Sequence, residues 1–185
     1  YIGTYSFLSC HSLRGGLDLP MKRPPGDTNA STIRDRAFKG LNQLDGELKL
    51  GEVEFIDNEA FFGCESLEGD LTIPSACTNV GIRSFRNCGF NGNLYFEDYQ
   101  TQTPDLTIKI DAFRNCKFKE GLFISGNERL DKIENAAFYN CKFSNQLVFP
   151  KNIRKIGGYS FGYNDFTGKL VIPTGVEEIG TRAFI

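Results

Sequence analysis

The sequence predicts a β-rich solenoid, a stack of coils in which every turn of chain supplies short parallel strands. Three observations predict it. An Ala-Phe or Ser-Phe pair recurs eight times, at Phe7, Phe38, Phe61, Phe85, Phe113, Phe138, Phe161 and Phe184, in steps of 31, 23, 24, 28, 25, 23 and 23 residues. An aliphatic residue stands five places before each: Ile2, Ile33, Ile56, Val80, Ile108, Ile133, Ile156 and Ile179. A short alternating apolar run follows seven of the eight at a nearly fixed distance. Self-similarity at such a period marks a repeat architecture, in which no unit can bury its own apolar side and stacking buries a continuous core.

Each element of the unit has a physical reason. A small residue directly precedes every Phe (Ser6, Ala37, Ala60, Ser84, Ala112, Ala137, Ser160, Ala183). Three residues after the Phe stands Cys10, Leu41, Cys64, Cys88, Cys116, Cys141 or Asn164, and then a second large apolar residue, Leu13, Leu44, Leu67, Phe90, Phe118, Phe143 or Phe166. Four residues on comes the alternating run: Leu17-Asp18-Leu19, Leu48-Lys49-Leu50, Leu71-Thr72-Ile73, Leu94-Tyr95-Phe96, Leu122-Phe123-Ile124, Leu147-Val148-Phe149 and Leu170-Val171-Ile172. Two inward side chains around one outward one describe a three-residue strand. Pro20, Pro74, Pro150 and Pro173 stop four of these strands, because proline cannot donate to a ladder. A second, bent strand is expected at Val53–Ile56, Ile153–Ile156 and Val176–Ile179. The Ala-Phe segment then turns the chain back, too short for an ordinary α-helix.

Composition narrows the function. The chain has 185 residues, a formal charge of −2 and a pI near 5.5, which excludes the basic face of an electrostatic nucleic-acid binder. No apolar run is long enough to span a membrane, so no direct membrane insertion is expected within the segment. The single histidine, His11, lies between Cys10 and Ser12, and Cys10 occupies a core slot of the repeat, so a Cys-His dyad is not expected. No carboxylate pair, phosphate loop or metal motif stands out, and the expectation is no catalytic residue, no cofactor and no metal.

The pattern Ile-Gly-x-x-Ala-Phe-x-x-Cys followed by Gly-x-Leu-x-Ile-Pro resembles the BspA-like leucine-rich repeats, and the resemblance runs from Ile2 to Phe184. It implies a right-handed leucine-rich-repeat superhelix with the Gly-x-Leu-x-Ile strands on its concave face and turns or short 3-10 segments on the other side. Members are mostly large secreted or surface-anchored proteins of anaerobic bacteria and protists, and several act in adhesion. The resemblance thus implies an extracellular or cell-surface location and a protein partner from a host, a matrix or an assembly. Both ends fall in mid-unit without the polar cap a solenoid needs, so residues 1–185 are expected to be a single solenoid of about seven repeats and the start of an eighth, cut from a longer array.

Three features are candidates for function. The six cysteines read as small core residues, five in the turn column and Cys77 at the address of Val53, Leu130, Ile153 and Val176; a disulfide or a metal is the competing reading. The outward column of the strands, Asp18, Lys49, Thr72, Tyr95, Phe123, Val148 and Val171, turns apolar in its last four members, with Glu47, Asp70, Asn93, Gln146 and Lys169 as a polar rim. It is read either as a partner-binding face or as β-branched packing on a half-wet sheet. Two inserts, Pro20–Thr28 and Glu97–Pro104, break the rhythm, and Asn29-Ala30-Ser31 fits an N-glycosylation acceptor. The expected function is non-enzymatic protein recognition or adhesion; the alternative is a structural component of a large assembly or extracellular layer.

Overall fold

A computed structural model describes residues 1–22, 30–98 and 105–185. Most of each insert, with Asn29, lies outside the described residues. The chain folds as a parallel β-solenoid, with no helix among the described residues. The strands are β1 (Leu17–Leu19), β2 (Thr32–Ile33), β3 (Leu48–Leu50), β4 (Phe55–Ile56), β5 (Leu71–Ile73), β6 (Asn79–Val80), β7 (Leu94–Phe96), β8 (Leu106–Ile108), β9 (Leu122–Phe123), β10 (Leu130–Ile133), β11 (Gln146–Val148), β12 (Lys155–Ile156), β13 (Thr167–Val171) and β14 (Glu178–Ile179).

The odd and even strands form separate faces. The even strands make one unbroken parallel sheet in the order β14-β12-β10-β8-β6-β4-β2, extended by a bridge from Ile2 to Ile33. Its register sets Ile33, Ile56, Val80, Ile108, Ile133, Ile156 and Ile179 side by side. The odd strands, which the resemblance leads one to expect as a parallel sheet, are broken into β1-β3, β5-β7-β9 and β11-β13. The break between β9 and β11 has a visible cause. Asn145 inserts its side-chain amide, accepting from the Leu122 N–H at 3.1 Å and donating to the Leu122 carbonyl at 3.0 Å, where a strand backbone would otherwise stand.

Between the even strands and the cysteine column the chain forms the Phe-bearing turn, and its backbone alternates in a fixed way. The residue two before the Phe has positive φ in all eight coils, from Tyr5 (58°) to Arg182 (53°). The residue two after it does so in seven, as Ser9, Gly40, Gly63, Asn87, Asn115, Asn140 and Tyr163. This alternation aims every second N–H at the next coil. Arg36, Phe38 and Gly40 donate to the carbonyls of Asn58, Ala60 and Phe62 at 3.0, 2.8 and 2.8 Å, and the same three-bond ladder recurs along the stack.

The core is a set of columns. The eight anchor rings stack face to face, with centroid distances widening from 4.8 Å (Phe7–Phe38) to 5.6 Å (Phe161–Phe184). Phe90, Phe118, Phe143 and Phe166 form a second stack, of which Phe90, Phe143 and Phe166 meet anchor rings edge-on. Offset-stacked and edge-to-face pairs are the favoured arrangements of aromatic quadrupoles. The outermost anchors are the exceptions. Phe7 and Phe184 remain 37% and 38% exposed, because each has a neighbouring ring on one side only.

Candidate recognition surface

The structure places the outward column where the alternation put it. In the first group Asp18 pairs with Lys49 across β1 and β3; in the second Thr72 pairs with Tyr95 and Tyr95 with Phe123; in the third Val148 pairs with Val171. Asp18, Lys49, Phe123, Val148 and Val171 are exposed, and Thr72 and Tyr95 half-buried. The Tyr95 and Phe123 rings stack with centroids 4.9 Å apart. Phe123 lies back over Gly121, where a Cβ would come within 2.5 Å of its ring, so the glycine sets the ring's position. Val148 and Val171 are 48% and 57% exposed, so the apolar half of the column stands in water. The other half is polar. Glu47, Lys49, Asp70, Thr72 and Glu97 line a hollow of about 560 Å³, and Lys49 meets Glu47 at 3.6 Å.

Five of the six cysteines are buried in the core. All six are free, and the column members Cys64, Cys88, Cys116 and Cys141 donate their thiols to the carbonyls of Phe38, Phe61, Phe85 and Phe113 at 3.0–3.2 Å, one coil back. Asn164 performs the same task with an amide, donating to Phe138 and Phe161 at 2.8 and 3.0 Å. Each satisfies a turn carbonyl that no strand reaches. Burial raises the thiols of Cys88 and Cys141 well above their ordinary range and that of Cys77 to about 12. Cys10 departs from expectation: it is exposed, because it lies in the terminal coil whose anchor is itself open. Among the described residues no group of His, Cys, Asp or Glu could hold a metal ion.

A second surface escaped the reading of the sequence. The residues two before and one after each Phe stand on the outside of the turn, and across four coils they carry five cations and two carboxylates. Glu59 is met by Arg36 (2.8 Å), Lys39 (2.7 Å) and Arg83 (3.8 Å). Asp111 is met by Arg83 (3.5 Å), Arg86 (2.8 Å) and Arg114 (3.4 Å). Hydrogen bonds from Lys39 and Arg36 hold the Glu59 carboxyl below its ordinary value against the opposing effect of burial. Reading those two positions down the repeat would have found this surface, since Arg36, Glu59, Arg83 and Asp111 alternate in sign.

The family profile for the BspA-type leucine-rich repeat region matches the chain in six copies, over residues 1–98 and 90–185. The chain belongs to the BspA-type leucine-rich repeat family. Repeats of this family generally act as non-enzymatic binding scaffolds for other proteins. Comparison with curated proteins finds no match, and comparison with solved structures finds none either. No helix among the described residues is long and apolar enough to cross a membrane.

Proposed function

We propose that this leucine-rich-repeat solenoid is a protein-recognition and adhesion module of a secreted or cell-surface protein, and that its partner docks on the outward face of the odd strands. The row of exposed Phe123, Val148 and Val171 with half-buried Tyr95 stacked on Phe123 carries the reading. A solvated sheet face has no need of adjacent exposed aromatic and aliphatic side chains, whereas an interface core is built from them, with tyrosine and phenylalanine enriched. The stacked rings are already ordered, so they lose little freedom on binding. The hollow bounded by Glu47, Asp70 and Glu97 adjoins this row and favours a partner whose apolar patch is flanked by basic side chains. Family membership supports the surface or secreted setting.

The test is a paired substitution, Tyr95→Ser with Phe123→Ser, assayed by retention of the chain on immobilised extracellular-matrix proteins. Both side chains reach solvent, so the thermal midpoint should hold while retention falls by at least about tenfold, the usual cost of truncating a central aromatic contact. Retention equal to that of the unaltered chain overturns the reading. Recovery of the chain only in a fixed-stoichiometry complex that buries Phe123 permanently would instead favour a structural component of an assembly.

A further inference from the structure

The charged rows of the turn surface end at a cavity of about 570 Å³, lined by Arg114, Asn135, Tyr139, Tyr159, Glu178 and Thr181. Its size falls in the class of small-ligand sites, roughly 300–1,000 Å³. Two tyrosine rings supply its apolar surface, and both are half-buried. The Arg114 guanidinium lies over the Tyr139 ring with its carbon 4.4 Å from the centroid, which fixes cation and ring as one unit. Arg114 shares Asp111 with Arg83 and Arg86, and Arg83 also meets Glu59, so the row sets five cations against two carboxylates and ends in Arg114 at the cavity's edge. The Nε atoms of Arg86 and Arg114 are buried and have no hydrogen-bond partner.

The polar groups are of mixed kind. Asn135 accepts the Gly158 N–H through Oδ1 at 2.8 Å, and no contact among the described residues engages its Nδ2. Tyr159 accepts from Arg182 at 3.0 Å, which leaves its hydroxyl proton free to donate. Glu178 is an acceptor, held by Lys155 at 2.8 Å. A ligand here meets the exposed parts of two tyrosine rings, several donors, one acceptor and a cationic edge. An inorganic anion would not use the rings, and a polyphosphate would meet the Glu178 carboxylate. A ring that is apolar on its faces, hydroxylated at its rim and acidic at one substituent satisfies every group.

We propose that this cavity binds an acidic saccharide, with the pyranose against Tyr139 and Tyr159, its hydroxyls on Asn135 and Glu178, and its carboxylate or sulfate on Arg114. The site lies on the turn surface and is independent of the odd-strand face. Guanidinium recognition of carboxylate or sulfate is charge-assisted and directional, which makes the acid group the discriminating feature.

The experiment is a calorimetric titration of the chain with a heparin-derived tetrasaccharide, a sialyl-trisaccharide and the neutral counterpart of each. Binding of the first assigns a sulfated source and binding of the second a carboxylated one. In either case the neutral sugar should bind about tenfold more weakly or worse, the factor lost with one charge-assisted contact. Arg114→Gln should reproduce that loss. Thr181→Trp, at an exposed rim position that takes part in no ion pair, should block binding with no change in thermal midpoint. Tyr95→Ser with Phe123→Ser should leave saccharide binding intact, which separates this site from the protein-docking face. The proposal is overturned if neither acidic sugar binds, if neutral and acidic sugars bind equally, or if Thr181→Trp binds as well as the unaltered chain. Equal binding of duplex DNA or a polyglutamate peptide, abolished by Arg114→Gln, also overturns it, since the site would then read charge alone.

Discussion

Truncation of Phe138 to alanine tests the stacked-column account of the core most directly. The ring is fully buried, sandwiched between Phe113 and Phe161 at 5.3 and 5.4 Å and met edge-on by Phe143 and Phe96 at 6.2 and 6.4 Å. The space it vacates cannot close. Phe113 and Phe138 are each pinned to the next coil by a backbone N–H at 2.8 Å, so the flanking rings cannot move together. The loss should therefore lie in the upper part of the range for a buried Phe→Ala change, about 4–5 kcal/mol. Two stacking contacts, worth about 0.5–1.5 kcal/mol each, disappear with the ring. Phe7→Ala provides the contrast. That ring has one stacking partner, at 4.8 Å, and is 37% exposed, so its truncation should cost only about 1–2 kcal/mol. Urea titration followed by far-ultraviolet circular dichroism measures both. Phe138→Ala should also broaden the transition, because an interior lesion weakens the coupling between the coils on either side. Equal losses for the two variants, or a loss below about 1 kcal/mol for Phe138→Ala, would refute a core built on the column.

Ser84→Ala and Ser160→Ala should each stabilise the chain by about 1 kcal/mol in thermal unfolding, because both hydroxyls are buried without a partner and alanine fills the same slot in five other coils. Alkylation of the native chain should label Cys10 alone, and all six thiols after denaturation, as followed by mass spectrometry. Stability should decline between pH 9 and about 12. An unfolded Cys77 ionises near its ordinary 9.0 while burial keeps the folded thiol protonated to about 12, so the unfolded state sheds protons first. Cys77→Ala should flatten that decline in urea midpoints measured across the range. At the acid end, Glu59 is held below its ordinary 4.5, so its stabilisation is present above that pH and lost beneath it. Glu59→Gln should remove that part of the acid sensitivity.

Much of this was legible in the residues because the core is periodic. The Phe, aliphatic and Cys columns each occupy one address of the unit, and burial enforces the address. Asn164 in the cysteine column was legible for the same reason, since both side chains supply a donor to a turn carbonyl. The identity of the dominant sheet was not. Its strands are as short as Asn79–Val80 and Lys155–Ile156, with one inward residue each, and two residues carry no alternation to detect. The interruption at Asn145 depends on a side chain taking the place of a backbone, which propensity does not register. The ion-pair rows were hidden because exposed positions vary in residue type from coil to coil. Their order appears only when equivalent positions are compared across the stack. Cys10 and Phe7 have the sequence of core residues, and their exposure follows from having a neighbour on one side only.

The three-bond turn ladder and the parallel strands have a mechanical corollary. Every such bond joins one coil to the next, so a pull along the stack loads successive interfaces in series, and only the bonds within one interface share the load. Coils would peel away singly, starting at an end. Each unit of 23 residues set free would add on the order of 80 Å of extended chain, at about 3.5 Å per residue. Under tension the chain would yield by stepwise lengthening, while the coils still stacked kept their aromatic columns intact.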